Sequence, residues 1–512
     1  MFLPSKRNVF FFGPEKYQQQ YGRLRPIMSL QRTTPDNHGN LQYDNEAFMD
    51  ALRSGDDFLT TQEVAEEVDC SKTTAWRRLT QLKNVGAVDR HDDEWPYTWE
   101  AGIYVPSRNV SDLPTSWRSA PRGWGNPLHT IAPYIGGFPP SLAHYFIERF
   151  SEPRDTVYDP FAGGGTTPLE AVLQGRVGWG SDAFEYATVL SQAKCHPMET
   201  AEFEKYLLDV LKAASEIDGP IQLLDDEDPK TFFSDYTLKQ LLAVREVLRG
   251  DNSREATYLK AIIAGVLHGP SEMFLSLSTR DTFSGSVDYV KDYKKEHNLE
   301  TPEKHIWESA TSKQELVSEE LDSFPDDALA RIEQADSGNV PFPDDSVDLL
   351  LTSPPYMRVL DYSWNNWLRL WWLDADRESE RDELTITESE SRYKDFVEDT
   401  LREIERVISD NGYAVIVVGD VRKRMANHVE YINTAKMFAK VARDCTDLIP
   451  RQILNDEYDL DTRNYAMANQ LKYEYSSDAK EEKAMSKLDR CLILSPHEEP
   501  LPSPGEVELP WT

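Results

Sequence analysis

Two consecutive prolines after an apolar run are the first feature of the sequence with a direct chemical meaning. The run from Val347 to Leu351 predicts a buried strand, and it leads into Thr352, Ser353, Pro354, Pro355 and Tyr356. Each proline removes a backbone donor, so the strand must end there with its carbonyls pointing into a cleft. These carbonyls and the Ser353 hydroxyl can accept hydrogen bonds, while Tyr356 offers a flat face to a base. The motif predicts a pocket for the exocyclic amino group of a nucleobase; the alternative is an ordinary turn before a helix.

A glycine-rich turn far upstream predicts the other half of the site. It follows the short apolar strand Val157–Asp159 and precedes a helical run through Leu169, Ala171 and Val172. Glycines let a backbone approach a ligand closely, and a helix N-terminus presents unbonded N–H groups to it. The next predicted strand ends at Asp182, at the spacing of an acid that binds a ribose diol. A plain strand-to-helix connection is the alternative. The candidate ligand contacts are Asp159, Phe161, Ala162, Gly163, Gly165, Thr166, Thr167 and Asp182.

Together the two motifs resemble those of the amino-group DNA methyltransferases that use S-adenosylmethionine. The serine at position 353 is similar to the cytosine-N4 subgroup, because the adenine-N6 subgroup usually has Asp or Asn there. The resemblance implies that residues 159–167 bind the methionine side of the cofactor, Asp182 its ribose, and Asp336 lies near its adenine. Residues 138–142 (Phe-Pro-Pro-Ser-Leu) stand where many members carry a Lys-Pro cofactor motif, but the lysine is absent. The resemblance covers roughly residues 125–498.

The elements that position these motifs indicate an α/β fold. We expect a doubly wound, Rossmann-like methyltransferase sheet with a cofactor-binding half over 125–199 and a catalytic half over 331–498. A helix over Leu401–Ile408 is expected to stop at Asn411-Gly412, before a buried strand over 413–420, and Cys491–Leu494 can supply a closing strand.

A long segment separates the two motifs. Asp159 and Ser353 are 353 − 159 = 194 positions apart, whereas strand–helix–strand units repeat about every 30 residues. Residues 200–330 are therefore expected to be a helical insertion that acts as a target-recognition region, or else a structural cap. Beyond the second motif, Trp364, Trp367 and Trp371 have the spacing of one helical face, which is typical of a core stripe, with base stacking as the alternative.

The N-terminal part predicts a separate small domain. After a polar leader over 1–40, residues 41–105 resemble a winged helix-turn-helix, whose second helix would enter a DNA major groove. A capped helix over 58–68 and a turn at 69–70 lead to Ser71 as an N-cap. The following helix would bury Ala75, Leu79 and Leu82, and would turn Lys72, Thr73, Thr74 and Arg77 towards DNA. A small interaction domain with solvated cations is the alternative.

Composition sets outer limits on these expectations. Lys and Arg number 55 and Asp and Glu 89, which gives 55 − 89 = −34, an excess of acid that repels nucleic acid. In molar salt the Debye length is about 3 Å, so we expect a halophilic host in which distant carboxylates matter little to DNA. The four cysteines lack paired spacing, which indicates a reducing cytoplasm and neither disulfides nor a metal site. The tail over 499–512 is expected to be disordered.

The combined prediction is a site-specific DNA methyltransferase that modifies the N4 amino group of cytosine and uses S-adenosylmethionine. A restriction-modification setting, with a separate restriction endonuclease as partner, fits such an enzyme. Three alternatives stay open: adenine-N6 methylation of DNA, methylation of an amino group in RNA such as tRNA, and a non-catalytic regulator that binds DNA.

Overall fold

The chain forms two compact units in the computed structural model, residues 1–104 and 105–512. Within them the structure describes residues 45–54, 59–84, 88–91, 96–102, 105–121, 123–217, 228–279, 286–355, 362–383, 389–424, 429–458 and 487–502. The predicted leader 1–40, Tyr356 and the end of the predicted tail lie outside these residues.

The N-terminal unit combines three helices with a small antiparallel sheet. Its elements are α1 (Asn45–Ser54), β1 (Leu59–Thr60), α2 (Thr61–Glu67), α3 (Lys72–Asn84), β2 (Val88–His91) and β3 (Thr98–Ala101), with strand order β1-β3-β2. Thr60 caps α2 through a reciprocal pair of hydrogen bonds with Glu63, so the helix begins at Thr61 rather than at position 58. The Ser71 hydroxyl accepts from the Thr74 N–H and caps α3 as predicted.

A mostly parallel eight-stranded sheet organises the second unit. Its strands are β4 (Ser107–Asn109), β5 (Thr156–Asp159), β6 (Val177–Asp182), β7 (Leu329–Gln334), β8 (Val347–Thr352), β9 (Ile408–Gly419), β12 (Ile449–Tyr458) and β13 (Lys487–Ser495). A separate hairpin contains β10 (Val421–Arg424) and β11 (Val429–Ile432). The strand order is β4-β12-β13-β9-β8-β5-β6-β7, and β13 runs antiparallel to both neighbours. From β5 the chain continues to β6 and β7 on one side of the sheet and then crosses to β8 on the other side, so the strand order reverses between β5 and β8. In such sheets ligands bind at the carboxyl ends of the strands at this point.

Helices cover both faces of this sheet. They are α4 (Pro140–Phe150), α5 (Thr166–Leu173), α6 (Glu185–Cys195), α16 (Glu390–Val407) and α17 (Thr434–Cys445). Val157, Leu349 and Val415 point to the face that α4 covers and share its hydrophobic core. Leu350 and Ile416, one position along in their strands, are buried too and point to the opposite face. The unit is therefore a doubly wound α/β domain, as predicted.

Six helices follow α6 in the sequence, before β7, and the described residues of this segment form a helical layer. It contains α7 (Thr200–Ser215), α8 (Asp228–Phe232), α9 (Asp235–Val247), α10 (Arg254–Val266), α11 (Val287–His297) and α12 (Ile306–Val317). Its buried side chains share one hydrophobic core with α6 and with α14 (Trp367–Leu373), the helix beyond the proline motif. The layer is thus packed into the domain. No helix in the described part of the chain is both long and apolar enough to cross a membrane.

The tryptophan stripe predicted from spacing is wrong at its first member. Trp364 belongs to α13 (Tyr362–Asn365), which ends before α14 begins, so the three rings do not share one helical face. Trp367 is 7% exposed and Trp371 packs against the core, whereas Trp364 is 50% exposed. The remaining helix of this region is α15 (Arg377–Glu383).

Two expectations about the end of the domain need correction. Asn411-Gly412 does not stop a helix, because α16 ends at Val407 and β9 runs through both residues with a shift in its pairing with β8. Residues 499–502 of the predicted tail are held by the domain, since Arg149 donates to the Pro502 carbonyl and Arg451 to the Glu499 carbonyl, and the rest of the tail lies outside the described residues.

Candidate active site

The two sequence motifs meet at the centre of the sheet. Thr352, the last residue of β8, donates its hydroxyl to the Asp159 carboxylate at the end of β5, with 2.5 Å between the oxygens. Thr167, in the first turn of α5, donates to the other oxygen of the same carboxylate at 3.0 Å and lies 3.1 Å from the Leu351 carbonyl. The glycine turn and the proline motif, far apart in sequence, are therefore held together by one acid.

Asp159 itself is 3% exposed. Burial raises the pKa of its carboxyl to about 7, although hydrogen bonds from Thr352, from the Phe161 N–H and from Thr167 oppose this rise. The sequence predicted a direct ligand contact for Asp159. The structure places its carboxylate among protein donors that join the two motifs, and the contact of Asp159 with a ligand stays a prediction.

The glycine turn has its shape because neighbouring side chains lie against it. Gly163 and Gly165 have φ values of +49° and +73°, a left-handed conformation that glycine tolerates best. A Cβ on Gly163 would lie 2.9 Å from the Tyr134 ring, and one on Gly165 would lie 2.8 Å from the Ser191 Cα. The Lys194 ammonium donates to the Gly164 carbonyl at 2.5 Å. Protein packing thus requires the glycines, in addition to any requirement from a ligand.

Asp182 lies at the end of β6, beside this turn. Its carboxylate accepts from the Gly163 N–H at 2.8 Å and from the Phe184 N–H at 2.9 Å. Burial raises its pKa to about 6 even though both of these hydrogen bonds lower it. Each carboxylate oxygen can accept a second hydrogen bond, so the group retains capacity for a ribose hydroxyl.

The other predicted cofactor residues lie along the same edge of the sheet. Phe161 is half-buried and its ring centroid is 5.7 Å from that of Phe396, while the Ala162 N–H donates to the Ser181 carbonyl. Thr166 is half-buried in the first turn of α5, whose N-cap, Gly165, has no side chain to occupy the N–H groups. Asp336 is exposed in the turn after β7 and accepts from the Gly338 N–H at 2.8 Å.

Beyond Thr352, the proline motif leaves the sheet. Ser353 and Pro355 are half-buried and Pro354 is buried. The Pro355 carbonyl accepts from the Tyr393 hydroxyl at 3.0 Å. The predicted stacking residue, Tyr356, lies outside the described residues.

Sequence reasoning missed an aromatic group that packs over the glycine turn. The Tyr134 ring lies against Gly163 and stacks on Tyr362, with 6.2 Å between ring centroids, and it is 6.0 Å from Tyr186. Burial, and the negative charge of Asp182, raise the pKa of Tyr134 well above its usual value, so its hydroxyl stays protonated. Tyr134 precedes the segment that lacks the Lys-Pro motif, and no local pattern marks it.

A buried carboxylate lies in α5, the helix that follows the glycine turn. Glu170 in α5 accepts from His129 at 2.7 Å and from His144 at 3.3 Å. Burial alone would raise the pKa of Glu170, but the two histidines lower it below its ordinary value. Burial has the opposite effect on His129 and lowers the pKa of its imidazole. The trio joins α4, α5 and the segment before α4.

The predicted DNA contacts of the N-terminal unit lie on α3. Lys72, Thr73 and Arg77 are exposed on this helix, opposite the buried Ala75, Leu79 and Leu82. The Thr74 hydroxyl lies 2.8 Å from that of Ser71, and thus belongs to the helix cap.

Known proteins resemble this chain over parts of its length. A family model described as DNA methylase matches residues 67–191, which include the glycine turn and Asp182. The type II methyltransferase M.MjaII of Methanocaldococcus jannaschii is 33% identical over 100 residues, which cover 20% of this chain and 18% of that protein. The type II methyltransferase M.BsoBI of Geobacillus stearothermophilus is 23% identical over 353 residues, or 59% and 66% of the two chains. The chain thus spans less than two thirds of either relative, and its similarity is to amino-group DNA methyltransferases.

Solved structures give weaker matches. A SAM-dependent methyltransferase from Methanosarcina mazei aligns with 68% of this chain and 95% of its own, at 10% identity and a TM-score of 0.27. The YcgJ protein from Bacillus aligns with 69% and 96%, at 11% identity and the same TM-score.

Proposed function

We propose that this chain is an S-adenosylmethionine-dependent DNA methyltransferase that modifies an exocyclic amino group, with N4 of cytosine as its target. The observation that carries the proposal is the shared contact of Asp159 with Thr167 and Thr352. It brings a glycine turn suited to a nucleotide-like ligand next to a proline motif suited to an amino donor, at the point where strand order reverses.

The residues at this edge fit the cofactor. Its ribose would contact Asp182, its methionine part would lie at the turn 161–167, and its adenine would lie near Asp336. S-adenosylmethionine supplies an electrophilic methyl group. The α5 N-terminus, with Gly165 as its cap, presents N–H groups to a polar ligand.

The proline motif would hold and orient the target base. The base must leave the duplex first, because its amino nitrogen is otherwise paired. The Ser353 hydroxyl and the Pro354 carbonyl would accept from the amino group and turn the nitrogen lone pair towards the methyl group, while Tyr356 would stack on the ring. The transfer is a direct displacement, so it needs no protein nucleophile and depends on orientation and electrostatics.

The N-terminal unit would supply duplex DNA binding. Its three helices and three-stranded sheet support a winged helix-turn-helix, with α3 as the helix that enters the major groove. We assign the contacts to Lys72, Thr73 and Arg77, with Thr74 at the helix N-terminus. The exposed surface of the helical layer over 200–317, and not its buried core, would contribute to target recognition. A separate restriction endonuclease would act on the same DNA site.

The test is mass spectrometry of nucleosides after incubation of DNA with the protein and labelled S-adenosylmethionine in high potassium chloride. Label in N4-methylcytosine is the expected result. The double variant Ser353→Ala, Tyr356→Ala should lose methyl transfer and keep cofactor binding, whereas Leu329→Ala, which truncates an exposed side chain at the start of β7, should keep both.

Other outcomes separate the alternatives. Label in N6-methyladenine would retain the chemistry and change the base. Label in tRNA alone would replace DNA by RNA as substrate. An absence of heat on titration with S-adenosylmethionine would leave a DNA-binding regulator.

A further inference from the structure

A buried tyrosine from the helix that precedes β9 holds the proline motif. The Tyr393 hydroxyl donates to the Pro355 carbonyl at 3.0 Å, and the tyrosine side chain is among the most fully buried in the chain. Burial raises the pKa of Tyr393 far above its usual value, so the hydroxyl keeps its proton and remains a donor at any physiological pH.

The position of Tyr393 is set by helix α16. In a parallel crossover, the helix begins near the carboxyl end of the first strand and returns along the sheet. Tyr393 lies in the first turn of α16, whose N-cap is Ser389, and its N–H donates to the Ser389 carbonyl at 3.0 Å. Val397 and Leu401, one and two turns further on, are fully buried and anchor the helix. The hydroxyl is therefore presented from a rigid element.

Both ends of the Ser353–Pro354 pair are held from outside the motif. On the strand side, Thr352 is bonded to Asp159 and the Leu351 carbonyl accepts from Thr167. On the other side, the Pro355 carbonyl is bonded to Tyr393. Prolines have no N–H of their own to hold this backbone, so external donors must fix its path.

The start of α16 also contacts the cofactor half of the site. The Phe396 ring, next to Tyr393 at 5.8 Å between centroids, lies 5.7 Å from the ring of Phe161. One helical turn thus contacts the proline motif through a hydrogen bond and the glycine turn through an aromatic pair.

We propose that Tyr393 is a positioning residue for methyl transfer: its hydrogen bond to Pro355 fixes the Ser353 hydroxyl and the Pro354 carbonyl where the amino group of the target base must bind. This inference rests on the proposed function. It assigns to Tyr393 an effect on the transfer step, and none on cofactor binding.

The test compares Tyr393→Phe with Tyr258→Phe. Each substitution removes a single buried hydroxyl, since Tyr258 in α10 donates to the Gln314 side chain at 2.9 Å, within the helical layer. In single-turnover assays with saturating DNA and S-adenosylmethionine, Y393F should transfer methyl about tenfold more slowly, the size expected for loss of one hydrogen bond that orients the reacting groups. Its affinity for S-adenosylmethionine should stay within about twofold of wild type, and Y258F should keep the wild-type rate.

A rescue variant separates positioning from general destabilisation. 3-Fluorotyrosine placed at position 393 keeps the ring and the donor, so it should restore the rate that Y393F loses. A Y393F rate within twofold of wild type, or an equal loss in Y258F, would overturn the role of Tyr393. An inactive wild-type enzyme would instead refute the proposed function on which this role rests.

Discussion

Alanine substitutions at three glycines test why the turn after β5 has its shape. Gly163, Gly165 and Gly175 all have left-handed φ values, of +49°, +73° and +72°. Alanine in that region raises the free energy of the folded state by about 1 kcal/mol relative to glycine. A Cβ at Gly175 would meet nothing within 4 Å, so Gly175→Ala isolates this penalty and serves as the matched control.

The other two positions add a steric contribution. At Gly165 the new Cβ would lie 2.8 Å from the backbone Cα of Ser191 in α6, which cannot move without shifting the helix. Overpacking of this kind costs about 1–3 kcal/mol or more, so Gly165→Ala should destabilise the domain by about 3 kcal/mol in total. At Gly163 the obstacle is the Tyr134 ring at 2.9 Å, which is a side chain and can move. Gly163→Ala should therefore cost about 2 kcal/mol.

The measurement is equilibrium unfolding by denaturant at fixed potassium chloride, with midpoints compared at constant slope. The steric explanation further predicts that Gly163→Ala costs less in a Tyr134→Ala background, with a coupling energy of about 1 kcal/mol. Equal destabilisation at all three glycines would refute the role of Tyr134 and Ser191. It would leave the backbone conformation as the sole reason for the glycines.

Three further predictions follow from other contacts. Burial raises the pKa of Asp159 from 3.8 to about 7, so between these pH values the folded chain keeps a proton that the unfolded chain releases. The free energy of unfolding is therefore lower by up to about 4 kcal/mol above pH 7, and this loss of stability fades as pH falls towards 4. The stability of Asp159→Asn relative to wild type should therefore rise between pH 4 and pH 8, and a pH-independent difference in unfolding midpoints would contradict this. Asp456 is buried and accepts from the Trp117 indole N–H at 2.8 Å and from Arg118, so Asp456→Ala should cost about 3 kcal/mol in the unfolding transition of the second unit and leave that of the first unchanged. The double variant Lys72→Glu, Arg77→Glu should weaken duplex binding and reduce the slope of log K against log salt by about 2 in fluorescence anisotropy. A similar change in Arg443→Glu, an exposed arginine on α17, would argue against α3 as the contact.

The sequence was most informative where local chemistry decides the structure. Apolar runs ended by glycine or proline located β5 and β8 and the helix α5, since backbone conformation and missing donors act within a few residues. The same reasoning found the caps of α2 and α3, because a hydroxyl reaches an N–H only three positions away.

Local reasoning could not predict contacts between residues that are far apart in the sequence. Only the fold shows that Thr352 and Thr167, far apart in sequence, both donate to the Asp159 carboxylate. No element was predicted over residues 106–121, yet they add the edge strand β4 and bring Trp117 to Asp456. The tryptophan stripe failed for a related reason, since a helix end between Asn365 and Trp367 cannot be read from spacing alone.

Contacts around Asp159 hold the two halves of the site in a fixed relation to each other. The Thr167 hydroxyl lies within hydrogen-bonding distance of both the Asp159 carboxylate and the Leu351 carbonyl, so the start of α5 and the end of β8 cannot shift independently. Asp182 is bonded to the Gly163 N–H, so the same turn is also held from β6. A ligand that contacts Asp182 and the turn would bind a framework already fixed relative to the proline motif. A direct methyl displacement depends on the alignment of donor and acceptor. The rigid contacts around Asp159 would therefore supply the alignment that the proposed reaction needs.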